Sequence, residues 1–143
     1  MYFPENLVIE IDSRGGSIAP AFDWKTHLEQ YSNYGKITIV VKQALSSGAI
    51  IFLSKNTHRI ITEKSIVAFH KPIKHGKHTK EKIKLSKFFE LKLNNLLISE
   101  GVTPYPPLSE PQFFIGKDIA LQFGVTLVSS TNAQIASKSE IIL

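Results

Sequence analysis

Three short segments of the chain carry residues that together could perform acyl transfer. They are Gly15-Gly16, Ser46-Ser47-Gly48 and His70. A histidine that accepts the proton of a serine hydroxyl makes that serine a nucleophile. Backbone N–H groups of a glycine-rich segment can stabilise the oxyanion that then forms. Each segment alone is ordinary, because glycine turns, serine N-caps and structural histidines are common.

The elements predicted around these segments place each of them at the end of a strand. The apolar run 7–12 predicts a strand that leads into the glycine pair, and helical spacing follows over 19–31. A second apolar strand at 37–41 leads into a short helix from Ser46 to Leu53. In open α/β sheets, ligands bind beyond the carboxyl ends of the strands, which is where these segments fall.

The rest of the chain continues the same pattern as one α/β domain over residues 1–143. Its polar stretches are a loop that starts at Lys71 and leads into a long helix, a proline-rich segment at 103–107, and a terminal segment, 129–143, which we expect to be loosely held. The other predicted elements are strands at 59–62, 66–69 and 125–128, and helices at 81–99 and 115–123.

Composition excludes several classes of function. The chain has no cysteine, so disulfides, thiolate metal sites and cysteine nucleophiles are excluded. No signal-peptide pattern and no apolar run of roughly 20 residues is present, which predicts a cytoplasmic protein without a membrane span. His75 and His78 lack a third ligand nearby, and we therefore expect neither a metal nor another cofactor.

A basic stretch from Lys71 to Lys87 contributes much of the net charge of +5. Such a stretch can bind nucleic acid. Its apolar residues have helical spacing, however, and we interpret it as a solvated loop and helix face. A nucleic-acid partner is therefore not expected.

Several segments resemble the proteolytic subunit of the Clp protease. The segment 11–17 resembles that family's glycine-pair segment, 43–49 its nucleophile segment, and 69–72 its histidine segment. The stretch 115–125 is similar to its late helix and strand. The resemblance extends from about Leu7 to Val128.

This resemblance implies a ClpP/crotonase-like fold, with a mostly parallel sheet built from ββα-type units. Ser46 would attack the scissile carbonyl, His70 would accept its proton, and the N–H groups of Gly16 and Ser47 would form the oxyanion hole. Residues 71–100 would be the handle-like loop and helix that joins rings of a homo-oligomer. Peptides or unfolded proteins would be the substrates. Ser47 would be the nucleophile if the alignment shifted by one residue.

The chain also departs from the family pattern. Gln112 stands where the family has its triad aspartate, and losing that carboxylate can cost about 10⁴ in rate in a comparable triad. Glu110 lies two positions away as a substitute.

Lys42 and Leu45 replace small residues, and we expect them to crowd the site. The chain lacks the family's axial segment, first strand and first helix, as a truncated or divergent member would, which puts docking to an ATPase partner in question.

Two functional hypotheses therefore stay open. One is an active serine peptidase of the Clp type, and the other is a catalytically impaired paralogue that acts as an assembly or regulatory subunit. A crotonase-like acyl-CoA enzyme is a third hypothesis, since it shares the fold. Signal peptide peptidases also share the fold but use a Ser–Lys pair, for which Lys84 and Lys87 are the candidates.

Overall fold

The computed structural model describes residues 6–70, 80–102, 112–129 and 140–142. In chain order its elements are β1 Asn6–Ser13, α1 Ile18–Tyr31, β2 Lys36–Leu45, α2 Ser47–Phe52, β3 His58–Phe69, α3 Lys80–Ser99, β4 Gln112–Ile115, α4 Lys117–Phe123, β5 Thr126–Leu127 and β6 Glu140–Ile142.

The strands form one sheet in which neighbours follow the order β4-β3-β2-β1-β6. Strand β5 also pairs with β3. Among the described strands, β1 pairs in parallel with β2 and β6, and β3 pairs in parallel with β2 and β5. Of the strands that the structure describes, only β4 runs antiparallel to its neighbour, β3. The predicted mostly parallel α/β sheet is therefore confirmed.

The main core lies between one face of this sheet and the four helices. The side chains of Ile9, Ile39, Phe52 and Phe69 are fully buried there. The other face buries a smaller apolar cluster, formed by Val8, Val40 and Ile60 with Val128. Burial on both faces explains why β1 and β2 are nearly continuous apolar runs in the sequence.

Helix α3 packs on this core through residues spaced four apart. Phe89, Leu93 and Leu97 are buried, and the Phe89 ring stacks on Phe22 of α1 with 5.6 Å between ring centroids. This spacing aligns one face of the helix with the core. Apolar side chains elsewhere on α3 remain exposed, namely Leu85, Phe88, Leu91 and Ile98.

A bulge in β2 decides which way the end of that strand faces. The register against β1 and β3 shifts at Lys42. Val41 and Ala44 are both buried in the main core although they lie three residues apart. Strand side chains normally alternate between faces, so the extra residue changes the phase of the strand. Ser46, two residues after Ala44, is thereby directed to the helix-covered side.

Opposite this bulge, β3 contains a longer unpaired segment, here called the excursion. Four residues, 62–65, separate Ile61 from Ile66, whereas Lys42 alone separates their partners on β2. The fully buried Ser65 holds the excursion in place. Its Oγ accepts from the Thr62 N–H at 2.8 Å and donates to the Val41 carbonyl at 2.5 Å.

Ser46 forms a sharp turn between β2 and α2. Its φ is 58° and its ψ is −112°, a backbone conformation rare for residues other than glycine. Its N–H donates to the Ala68 carbonyl of β3 at 3.0 Å, and its own carbonyl accepts from the Ala49 N–H at 3.1 Å. These bonds hold the strained residue between the sheet and the helix.

Gly116 makes a turn of the same form between β4 and α4. Its φ is 51° and its ψ is −115°. Its N–H donates to the Ser65 carbonyl of β3 at 3.0 Å, and its carbonyl accepts from the Ile119 N–H at 3.0 Å. The two strands that flank β3 therefore enter their helices through equivalent turns. A Cβ on Gly116 would lie 2.6 Å from the Glu63 carbonyl oxygen, so only glycine fits.

Arg59 joins the C-terminal ends of the two helices that follow these turns. Its guanidinium donates to the carbonyls of Phe52 and Phe123, the last residues of α2 and α4, at 3.4 and 3.5 Å. It also lies 5.0 Å from the centroid of the Phe52 ring. Burial lowers the pKa of Arg59, and the charge of Glu100 acts in the opposite direction. A cation at this place stabilises both helix ends.

The structure corrects several element predictions. The strands predicted at 59–62 and 66–69 are one strand, β3, because the excursion at Ser65 does not end it. The helix predicted from Ile115 begins at Lys117, and Ile115 instead ends β4, which the sequence analysis missed. The last predicted strand shortens to Thr126–Leu127. In the terminal segment, Glu140–Ile142 forms β6, which was not anticipated, and residues 130–139 lie outside the described part.

We expect Gly116→Ala to lower the free energy of unfolding by about 3 kcal/mol or more, because a positive φ and a backbone clash combine there. Gly101→Ala is the matched control, since Gly101 has a φ of 76° and no atom within 4 Å of an added Cβ. Its cost should be about 1 kcal/mol. Urea denaturation measures both values, and equal losses would contradict the proposed clash.

We expect Ser46→Gly to be more stable than Ser46→Ala by about 1 kcal/mol, because glycine adopts a positive φ without strain. Both variants remove the hydroxyl, so the comparison isolates the backbone conformation. The measurement is the free energy of unfolding of each variant in urea. If the alanine variant were the more stable one, Ser46 would not be strained.

Candidate active site

A cavity of about 770 Å³ opens at the carboxyl ends of β1, β2 and β3. Gly16, Ser46 and His70 line it together. Its volume is in the usual range for ligand pockets, large enough for a short peptide segment. The structure therefore brings together three of the four residues predicted to perform the chemistry. Their catalytic roles remain predictions.

The glycine pair lies directly against the Ser46 turn. Gly15 has a φ of 122°, and a Cβ added to it would lie 3.1 Å from the Ser46 Cβ and 3.6 Å from the Ser46 Oγ. The Gly15 N–H donates to the Ser13 Oγ at 3.2 Å, which fixes the start of the segment. The absence of a side chain at Gly15 thus lets the backbone approach the candidate nucleophile.

Gly16 and Ser47, the two residues predicted to supply the oxyanion hole, face each other across this contact. A Cβ on Gly16 would lie 3.5 Å from the Ser47 Oγ. Ser47 is the first residue of α2, so its N–H has no acceptor one turn earlier in that helix. The Ser47 side chain is buried and does not line the cavity. Its burial disfavours the suggestion that Ser47 is the nucleophile.

His70 directly follows β3 and is half-buried at the cavity wall. The β3–β4 register pairs Phe69 with Gln112. The position predicted for the triad acid therefore pairs with the residue directly before His70, and a neutral residue occupies it. Glu110, the predicted substitute, lies outside the described residues.

Helix α3 supplies one wall of the cavity, and its orientation disfavours the Ser–Lys hypothesis. Leu85, Phe89 and Leu93 line the cavity, whereas Lys84 and Lys87 do not. Among the described lysines, Lys82 lies at the wall, but its side chain is exposed. A lysine that acts as a base needs burial to favour its neutral form.

The crowding expected from Lys42 and Leu45 is not found. Neither residue lines the cavity, because the bulge directs them away from it. The Lys42 ammonium instead lies 2.7 Å from the carboxylate of Glu10, whose side chain is largely buried. This ion pair forms across β1 and β2.

Sequence reasoning missed Arg14 and Lys82, which both line the cavity. Arg14 directly precedes the glycine pair, and this position in the sequence could have indicated that it lies at the site. Lys82 had no comparable signal, because only the packing of α3 reveals which of its lysines faces the site.

Within the described ranges, no group of three or more histidine, cysteine, aspartate or glutamate residues is arranged to hold a metal ion. His75 and His78 lie outside those ranges. None of the described helices combines the length and the apolar character that crossing a membrane requires.

Comparisons with known proteins agree with this architecture. A sequence profile of the Clp protease family matches residues 3–99 of the chain. Among solved structures, the chain is similar to a ClpP1 mutant from Listeria monocytogenes, with a TM-score of 0.65 and 14% sequence identity. That alignment covers 90% of this chain and 76% of the other. No match is found among curated proteins.

The structural likeness, at this low identity, establishes the fold alone. The profile match adds the family, because it covers more than half of the 143 residues. This chain belongs to the Clp protease family, and its mostly parallel sheet with flanking helices is that of a ClpP-like protein.

Proposed function

We propose that this chain is a serine peptidase of the Clp type that cleaves peptides by acyl transfer at Ser46. One observation supports this proposal above the others. Ser46, His70 and Gly16 line a single cavity, and each lies at or just beyond the carboxyl end of a neighbouring parallel strand.

In this mechanism His70 accepts the proton of the Ser46 hydroxyl as its oxygen attacks the scissile carbonyl. The N–H groups of Gly16 and Ser47 donate to the oxyanion of the tetrahedral intermediate. His70 then gives the proton to the departing amine, which leaves an acyl group on Ser46. Water, deprotonated by His70, hydrolyses that ester and restores the serine. No metal or other cofactor is required.

The strained turn contributes directly to this mechanism. A residue with a φ of 58° between a strand and a helix presents its side chain above the end of the sheet. The backbone bonds to Ala68 and Ala49 then hold Ser46 in place before substrate arrives. Such preorganisation lowers the barrier because little reorganisation remains in the transition state.

The neutral residue at 112 sets the expected level of activity. A carboxylate at this position would stabilise the imidazolium form of His70, and an amide does so far less. We therefore propose a slow peptidase, well below the rate of a complete triad. We further propose a cytoplasmic location, which a chain without cysteine is compatible with.

Assembly into a homo-oligomer is part of this proposal. The exposed apolar residues Phe88, Leu91 and Ile98 recur along α3 at spacings of three and seven residues. This spacing suits a helix that packs against a second helix. Association of copies would cover these side chains and enclose the cavity for peptide substrates.

The second candidate is a non-catalytic ClpP-like subunit that serves assembly or regulation. Gln112 and the exposed face of α3 favour it, since a subunit needs the interface but not the triad. The two candidates differ in whether Ser46 reacts, which the first experiment below measures.

We expect a fluorophosphonate probe to label the wild-type protein and to leave Ser46→Ala unlabelled, because the probe reacts with an activated serine hydroxyl. His70→Ala should slow labelling by about 10²-fold or more, since the general base is lost. Ser99→Ala, which removes an exposed hydroxyl at the end of α3, is the control and should label normally. Equal labelling of wild type and Ser46→Ala would exclude Ser46, and no labelling of either would favour the non-catalytic candidate.

We expect Gln112→Asp to raise kcat for a fluorogenic peptide by about 10²-fold to 10⁴-fold, because the family resemblance implies that the triad carboxylate belongs at this position. Gln30→Asp, an equivalent change on the exposed side of α1, is the control for added charge. An unchanged kcat in Gln112→Asp would show that position 112 does not act on His70.

A further inference from the structure

Among the described residues, the two charged side chains that line the cavity, Arg14 and Lys82, are both basic. Arg14 and Lys82 lie on its wall together with His70, and no aspartate or glutamate does among the described residues. The first turn of α1 also borders the cavity through Ile18 and contains no acidic residue. The partial positive charge of that helix end therefore has the same sign as the side chains.

The apolar side chains that line the cavity come from three helices, α1, α2 and α3. Ile50 of α2 is fully buried, and Phe89 and Leu93 of α3 are buried beside it. Ser46 directly precedes α2, so these residues can receive an apolar side chain close to the scissile bond. The cavity thus offers two kinds of surface, one apolar and one positively charged.

Arg14 is the basic residue best placed to select a substrate. It adjoins Gly15, where an added Cβ would lie 3.1 Å from the Ser46 Cβ. A peptide residue spans about 3.5 Å, so a carboxylate bound by Arg14 would belong to a residue near the scissile bond. The planar guanidinium also forms paired hydrogen bonds with a carboxylate, which a lysine ammonium cannot do.

We propose that the cavity selects peptides in which an acidic residue neighbours an apolar one, with the carboxylate bound by Arg14 and the apolar side chain placed against Ile50, Phe89 and Leu93. This inference names the substrate class of the proposed peptidase and rests on that function for its biological meaning. The binding preference itself can be measured without turnover.

The experiment uses the full chain as Ser46→Gly, which cannot cleave and suits the local backbone. Fluorescent peptides that differ only in Glu, Gln or Lys beside a leucine are titrated by anisotropy. The Glu peptide should bind about threefold to tenfold more tightly than the Gln peptide, and the Lys peptide should bind least. This advantage should shrink between low and high salt.

A second substitution assigns the effect to Arg14. Arg14→Gln in the same background should remove most of the difference between the Glu and Gln peptides. Lys117→Gln is the matched control, because Lys117 is exposed on α4 and does not line the cavity. It should preserve the difference.

Three outcomes would overturn the inference. They are equal affinity for the Glu and Gln peptides, no binding of any peptide, and a Glu preference that persists in Arg14→Gln. Hydrolysis by the wild-type protein is measured separately. Cleavage without a Glu preference would reject the inference and retain the peptidase, whereas a Glu preference without cleavage would reject the peptidase and retain the binding site.

Discussion

The candidate site depends on one constrained residue, Ser46, whose backbone is held at a positive φ between β2 and α2. Three independent features maintain it. The bulge at Lys42 sets the phase of β2, the Ala68 carbonyl accepts the Ser46 N–H, and Gly15 leaves room for the serine beside it. Backbone strain of this kind persists only where the surrounding structure over-determines the conformation. Here the sheet, the helix and the glycine pair do so together.

The chemistry of the site follows from parts that the fold contributes separately. Parallel strands bring Ser46, His70 and the glycine pair to one edge of the sheet, and α3 closes the space above them. The electrostatics differ from a complete triad, because the residue that pairs with Phe69, directly before His70, is a neutral glutamine and the cavity wall carries Arg14. The same framework therefore brings the candidate residues together in a cavity whose wall carries Arg14, with a neutral residue at position 112.

Much of the fold could be predicted from the sequence, because its signals are local. The apolar runs of β1 and β2, the helical spacing of α1 and the resemblance of four segments sufficed for the parallel sheet and for the edge where the site lies. By contrast, β4 was missed. Its four residues merge with the apolar pattern of α4, and only the conformation of Gly116 separates the two elements.

The details of the site depended on tertiary packing, which the sequence does not state. The phase of α3 decides that Lys82 rather than Lys84 or Lys87 meets the cavity, and that phase comes from the burial of Phe89 and Leu93. Likewise, Lys42 and Leu45 were expected to crowd the site, but the bulge places the Lys42 side chain beside Glu10. Spacing along a chain predicts which segments meet, but it does not predict the rotation of each element.

The two equivalent turns on either side of β3 differ in whether they can carry a side chain. One of them carries a side chain, that of Ser46, which lies opposite Gly15. At the other, the Glu63 carbonyl oxygen fills the place where any side chain would begin. Any side chain at residue 116 would therefore require the β3 excursion to move first, so only the turn at Ser46 can present a functional group on the existing backbone.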